Sequence, residues 1–311
     1  MQRSIAFVIW VSIALGILLG GCSCTGREER EAFVEAAARG DAAAVRLALT
    51  RGVDPDVLNA EGMSAMHAAV DNAERGIVAL LIRNGADVNR RGYRGYTPLH
   101  EAAGYGLTDM ARYLLENGAE ASIRNNEGQL PLHLALSSRS EETIAVLAGA
   151  TDERDVFILA GLGDRPGLRE ALSDRPALAN ARDGLGRTPL HYAAGAGRLN
   201  TCQLLIRSGG QVNAKDKTHQ TPLARAIDRA PVVAMLLEAG ADPNVIYTDS
   251  MTVLHIAAWR GMQATVAELL AHGADPDVTD SEGRTPLALA EGFGRDEAAA
   301  MLRNATASNS R

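Results

Sequence analysis

The chain is 311 residues long, with 22% charged and 4% aromatic residues and a formal net charge of −7. Lysine occurs only at 215 and 217 and no basic run dominates a face, so general nucleic-acid binding is disfavoured. Three cysteines do not make a disulfide framework in such a chain.

The first segment stands apart from the rest. Arg3 precedes an apolar run from Ile5 to Leu19, followed by Gly20, Gly21 and Cys22. A charged start and an apolar middle are the pattern of a secretory signal. The run of about 15 residues is shorter than the ~20 that a spanning helix needs. Leu19-Gly20-Gly21-Cys22 resembles a bacterial lipobox, in which the Cys becomes the acylated first residue. That resemblance implies a signal peptide over 1–21, lipidation of Cys22 and a tether over 22–30. It also implies residence in the bacterial cell envelope, lipid-anchored and facing the periplasm. Ser23, directly after the Cys, favours the outer over the inner membrane.

From residue 31 a single phrase recurs. Gly95-Tyr96-Thr97-Pro98-Leu99-His100-Glu101-Ala102-Ala103 is its fullest form, and His67, His100 and His133 are spaced by 33 residues. The phrase returns at Thr188-Pro189-Leu190-His191, Thr221-Pro222-Leu223-Ala224, Thr252-Val253-Leu254-His255 and Thr285-Pro286-Leu287-Ala288. Thr suits a helix N-cap, Pro suits the first helical position, and Leu begins a buried face. Each unit ends on paired apolar residues and a glycine, as at Leu114, Leu115 and Gly118, where glycine stops a second helix. This period and wording resemble the ankyrin-repeat family over roughly residues 29 to 303. The resemblance implies an all-α solenoid of helix–turn–helix repeats with short hairpin-like turns, about nine repeats counting the caps.

The period breaks once. Leu147 to Phe157 spans 10 residues where the matching interval, Leu81 to His100, spans 19. Asp155 to Asp164 then reads like a second cap, parallel to Glu31 to Asp41. Two sub-stacks are expected, 31–150 and 151–303, with a missing finger-like turn and a weak junction between them. The polar tail 304–311 is expected to be disordered.

The residues that could carry chemistry have plainer roles in such a fold. His67, His100, His133, His191 and His255 hold one place in their repeats, and the family resemblance gives each a structural hydrogen bond to its motif. Rings on successive repeats would stand ~10 Å apart, too far to share one metal ion. Cys202 falls on an apolar helix side. No phosphate loop, nucleophile elbow or HExxH motif occurs, so neither enzyme activity nor a cofactor, metal or small-molecule substrate is expected. In ankyrin-like repeats the turn tips and the ends of the first helices contact partners. Those places carry Arg91, Tyr93, Arg94, Tyr96 and Tyr105, and again Tyr247, Met251, Trp259, Arg260 and Phe293. Tyr, Trp and Arg dominate binding hot spots. The expected function is therefore protein–protein binding through a concave face. The alternative is an accessory or inhibitor that protects or sequesters a specific periplasmic enzyme or toxin.

Overall fold

A computed structural model describes residues 25–309, apart from 152–153 and 248–249. Cys22 and the proposed leader lie outside the described residues. The chain divides into two units, one ending at Tyr93 and one beginning at Arg94.

Four helices make the first unit: α1 (Thr25–Ala38), α2 (Ala42–Thr50), α3 (Ala65–Asp71) and α4 (Arg75–Arg83). The tether expected to reach residue 30 is corrected here, because helix begins at Thr25. Glu28 sits in the first turn, where the helix dipole favours an acid, and Arg30 Nε donates to Gly26 O at 2.8 Å. The leading helices of the two pairs, α1 and α3, lie against each other, as do the following helices α2 and α4. Phe33, Met66, Ile77 and Leu81 are sealed between them. Each such side chain stabilises the unit by ~1.5–3 kcal/mol.

Further pairs make the second unit. They are α5 (Pro98–Gly104) with α6 (Thr108–Glu116), α7 (Pro131–Ser138) with α8 (Glu141–Gly149), and α9 (Val156–Leu162) with α10 (Arg165–Asp174). Next come α11 (Pro189–Gly195) with α12 (Leu199–Arg207), and α13 (Pro222–Arg225) with α14 (Ala230–Glu238). Last are α15 (Val253–Arg260) with α16 (Gln263–Ala271), and α17 (Pro286–Gly292) with α18 (Asp296–Asn309). The fold is all-α. Among the described residues the only strand-like feature is an isolated bridge from Leu58 to Ser64. The tail expected to be disordered from residue 304 is helical through Asn309. Its first turn carries Asp296 and Glu297, Leu302 is fully buried, and Arg303 pairs with Glu291 at 2.7 Å.

Leading helices start by one device. The Thr97 N–H donates to His100 Nδ1 at 3.2 Å, and the Thr97 hydroxyl lies 2.8 Å from the same nitrogen. A nitrogen that accepts an N–H carries no proton, so the imidazole proton is on Nε2. It donates to Gln129 O, 3.0 Å away at the start of the next repeat. His191 and His255 repeat the arrangement, reaching Gln220 O at 3.1 Å and Arg284 O at 3.2 Å. In the first unit Ser64 replaces Thr, with its Oγ 2.8 Å from His67 Nδ1. His100, His191 and His255 thus each join a cap to the turn of the next repeat.

The fourth repeat lacks a neighbouring turn. α8 ends at Gly149 and α9 begins at Val156, and the turn that separates other pairs is absent. His133 Nδ1 still accepts from the Leu130 N–H at 3.0 Å, but Nε2 donates to the Asp155 carboxylate, at 3.2 and 3.1 Å. Asp155 simultaneously caps α9, accepting from Phe157 N and Ile158 N at 3.1 and 3.0 Å. One side chain replaces the missing carbonyl.

Across this junction the fourth and sixth repeats come into contact. The following helices α8 and α10 make no extensive contact, whereas the leading helices α7 and α11 touch across α9. Glu127 and Gly184 meet so closely that a Cβ on Gly184 would overlap the Glu127 carbonyl oxygen. Gln129 Nε2 donates to Asp183 Oδ2 at 3.3 Å, and Arg187 Nη1 donates to Ser137 Oγ at 3.0 Å. Tyr192 fills the space, edge-on to His133 at 5.8 Å and tilted against Phe157 at 5.6 Å, and its hydroxyl donates to Asp183 at 2.8 Å. Arg139 reaches further, pairing with Asp228 and donating to Arg225 O at 2.6 Å. The seventh repeat is two residues short. Its leading helix α13 is cut to Pro222–Arg225, and Asp228 follows in the loop beyond it.

Candidate interaction surface

The expected contact residues divide by exposure. Tyr93 (63%), Tyr105 (61%), Trp259 (40%) and Phe293 (53%) are exposed large side chains. Arg91, Arg94 and Arg260 are exposed too, and Met251 is half-buried. Tyr93 closes the first unit, and its N–H donates to Gly62 O at 2.8 Å. Arg94, Tyr96 and Tyr105 belong to the second unit.

Two tyrosines lie deeper than these. Tyr96 is half-buried, with its ring 5.5 Å from the His100 ring, and burial followed by Glu127 and Glu101 raises its phenol above the ordinary range. Tyr247 is also half-buried, its hydroxyl is enclosed near Thr221, and burial pushes that phenol well up. Arg94 Nε stands 3.8 Å from Glu127 Oε1, so the intended cationic partner already has an acid beside it.

The C-terminal repeats hold the better-formed surface. Trp259 lies one residue before the end of α15 and Phe293 immediately follows α17, and these two leading helices are neighbours. The rings meet edge to face, 5.9 Å apart at 72°. Arg260 stands 6.0 Å from the Trp259 ring, at the outer limit of a cation–π contact. Beneath them Arg295 Nε donates to Trp259 O at 3.1 Å, which fixes the backbone under the indole. Tyr105 follows α5 in the position that Phe293 holds after α17.

Burial pushes the Cys202 thiol up to about 12, so it has negligible thiolate character. Among the described residues no three His, Cys, Asp or Glu side chains come together as a metal site would. The residues that brace the junction, Gln129, Asp183, Arg187 and Tyr192, carried no sequence signal of their own. The shortened interval before Phe157 was the only pointer to them.

The family model described as "Ankyrin repeats (3 copies)" matches residues 14–92, 33–125, 73–158, 156–247 and 231–311. The chain belongs to the ankyrin-repeat family. Successive matches overlap widely in the first half but meet almost end to end at 156–158, where the turn is missing. A probable E3 ubiquitin-protein ligase of Oryza sativa, XBOS31, is 41% identical over 117 residues, 36% of this chain and 26% of that protein. An ankyrin repeat-containing protein of Schizosaccharomyces pombe, C6C3.08, is 31% identical over 100 residues, 30% of this chain and 43% of its own length. Human inversin is 31% identical over 113 residues, covering 36% of this chain and 11% of inversin. The chain spans less than half the length of these relatives.

Proposed function

We propose that this chain binds another protein through the ends of its leading helices, with Trp259, Phe293 and Arg260 at the centre of the contact. A lipid on Cys22 holds it at the periplasmic side of a bacterial envelope membrane, the outer membrane favoured by Ser23, and it performs no chemistry itself. The observation that carries the binding reading is the edge-to-face pair Trp259–Phe293, kept exposed beside an arginine on a rigid backbone. An aromatic at the centre of an interface, once water is excluded, contributes ~2 kcal/mol or more. The anchor rests on the Leu19-Gly20-Gly21-Cys22 pattern. Several acyl chains together meet the two-signal requirement for stable membrane residence.

A photo-crosslinking residue at position 259 tests the binding reading in cells. It should give a discrete adduct, and the same probe at Arg112, on helix α6, should give none. Equal labelling from both positions, or adducts from neither, would place the working face elsewhere. The anchor has its own test: labelled fatty acid should enter the wild type and not Cys22→Ser. Label that persists in the variant rejects the lipobox.

A further inference from the structure

The Trp259–Phe293 corner has a charge as well as a shape. Trp259 and Arg260 are the last two residues of α15, a helix with no acid in it, and the first turn of α16 has none either. Arg260 is exposed and makes no ion pair among the described residues, standing instead beside the Trp259 ring at 6.0 Å. Arg295, exposed as well, uses its Nε–H on Trp259 O and pairs with no carboxylate among the described residues. The acids at the flanking leading-helix ends are taken. Glu291 pairs with Arg303 at 2.7 Å, and Asp228, in the preceding repeat, pairs with Arg139. Asp296 and Glu297 follow Arg295 in the first turn of α18, where the helix dipole favours acids. In a chain of net charge −7 the Trp259–Arg260 edge is therefore locally positive. Gly292 and Gly294 flank Phe293, and a Cβ on either would meet nothing within 4 Å, so a partner's backbone has room to lie beside the ring.

We infer that this corner receives a short acidic segment of the partner protein, one in which an Asp or Glu stands beside a large apolar side chain. The inference rests on the partner-binding reading of Trp259 and Phe293 and adds the partner's chemistry to it. A guanidinium beside an aromatic face keeps its N–H fork free, and that fork matches the two oxygens of a carboxylate. An ion pair left in water contributes little. The rings supply what the arginine lacks: once an apolar side chain covers them, water is excluded and the pair strengthens. Acid and apolar group must therefore be neighbours in the segment. The size of the patch points to a segment too. An interface between folded proteins takes about 800 Å² from each side, whereas an aromatic ring offers only about 150–250 Å² even when wholly covered. On the Phe293 side Asp296 and Glu297 would repel the phosphates of a lipid surface or a nucleic acid.

The test titrates the full chain into three end-blocked peptides that carry one neutral dye, read by fluorescence anisotropy. Gly-Glu-Asp-Leu-Phe-Asp-Glu-Gly has both acids and anchor, Gly-Lys-Lys-Leu-Phe-Lys-Lys-Gly reverses the charge, and Gly-Glu-Asp-Gly-Ser-Asp-Glu-Gly lacks the anchor. The first should bind saturably and more weakly as salt rises, and the other two should not bind. Trp259→Ala should abolish that binding. Arg260→Glu should weaken it about tenfold or more and give the basic peptide measurable affinity, a swap that a purely structural arginine would not produce. The inference is overturned if acidic and basic peptides bind alike, or if the anchor-free peptide matches the first. It is overturned as well if Arg260→Glu binds the acidic peptide as wild type does. No peptide binding, with an adduct to another protein still formed from the probe at position 259, rejects the acidic segment and leaves the binding reading in place. Loss of both rejects that reading itself. An adduct between two copies of this chain assigns the corner to self-association and rejects the acidic segment.

Discussion

A buried imidazole must find an acceptor for its Nε2–H, and the acceptor decides how the repeat responds to acid. His100, His191 and His255 use backbone carbonyls, whereas His133 uses the Asp155 carboxylate. Burial pushes Asp155 up, but the His133 hydrogen bond and charge, the Ile158 N–H and Arg124 outweigh it and hold the carboxyl below its usual 3.8. Such a group contributes stability that is present above the unfolded value and lost as pH falls through the lowered folded one. Asp155→Asn should therefore cost ~1–3 kcal/mol at pH 7 in urea unfolding, and the difference should shrink below pH 3. His191 behaves oppositely in origin. Burial lowers it from 6.5 to about 4, so the unfolded chain binds a proton that the folded chain refuses across that window. Stability should fall as pH drops from 6.5 toward 4, by about 2 kcal/mol at pH 5 from this one site. The pH dependence of His191→Gln should be shallower by about one proton over the same range, and an unchanged slope would show that the ring is hydrated.

Among the helices, the informative element is the one that is cut short. Because α8 runs almost directly into α9, the fourth and sixth repeats meet, and Gly184 lies against the Glu127 carbonyl with no room for a methyl group. Gly184→Ala should destabilise the second unit by ~1–3 kcal/mol through overpacking. It should also open the chain around Ala150 to limited proteolysis, where in the wild type Arg154 donates to Thr151 O and Ala148 O at 2.6 and 2.7 Å. Early cleavage there in the wild type would mean the brace does not hold in solution. Helix starts were legible in the sequence because the capping device is local: Thr, Pro and His act within four residues. The closure was not, because Gln129 meets Tyr192 only after the lost turn lets non-adjacent repeats approach. The same limit explains the contact surface. Position in the repeat pointed to Trp259 and Phe293 as exposed rings, but it could not show that the Tyr96 ring lies against its own His100 or that the Tyr247 hydroxyl is enclosed.

At the scale of the whole chain, a repeat array needs its ends covered, since each repeat buries its face only against a neighbour. Here α18 covers α16 and α17, with Ala298, Ala299 and Leu302 buried, so the last fourteen residues of helix act as a cap. Ending the chain after Gly294 should lower the melting temperature and promote aggregation, as Leu302 alone accounts for ~1.5–3 kcal/mol of burial. Loss of residues 304–311 should cost far less. Equal melting of wild type and the shorter form would show that α18 is not part of the fold.

The Arg139–Asp228 pair joins positions 89 residues apart in a chain whose other ties mostly link adjacent repeats. Arrays with only neighbouring ties can begin folding anywhere and zip outward. A distant tie must wait until everything between its ends has formed, and folding slows as such separations grow. The second unit should therefore fold with a late, slow step that Asp228→Asn leaves unchanged in refolding rate while speeding unfolding, because the pair forms only after the barrier. That late clasp acts as a latch on lifetime: it governs how long the folded array lasts once made, more than how quickly it is made.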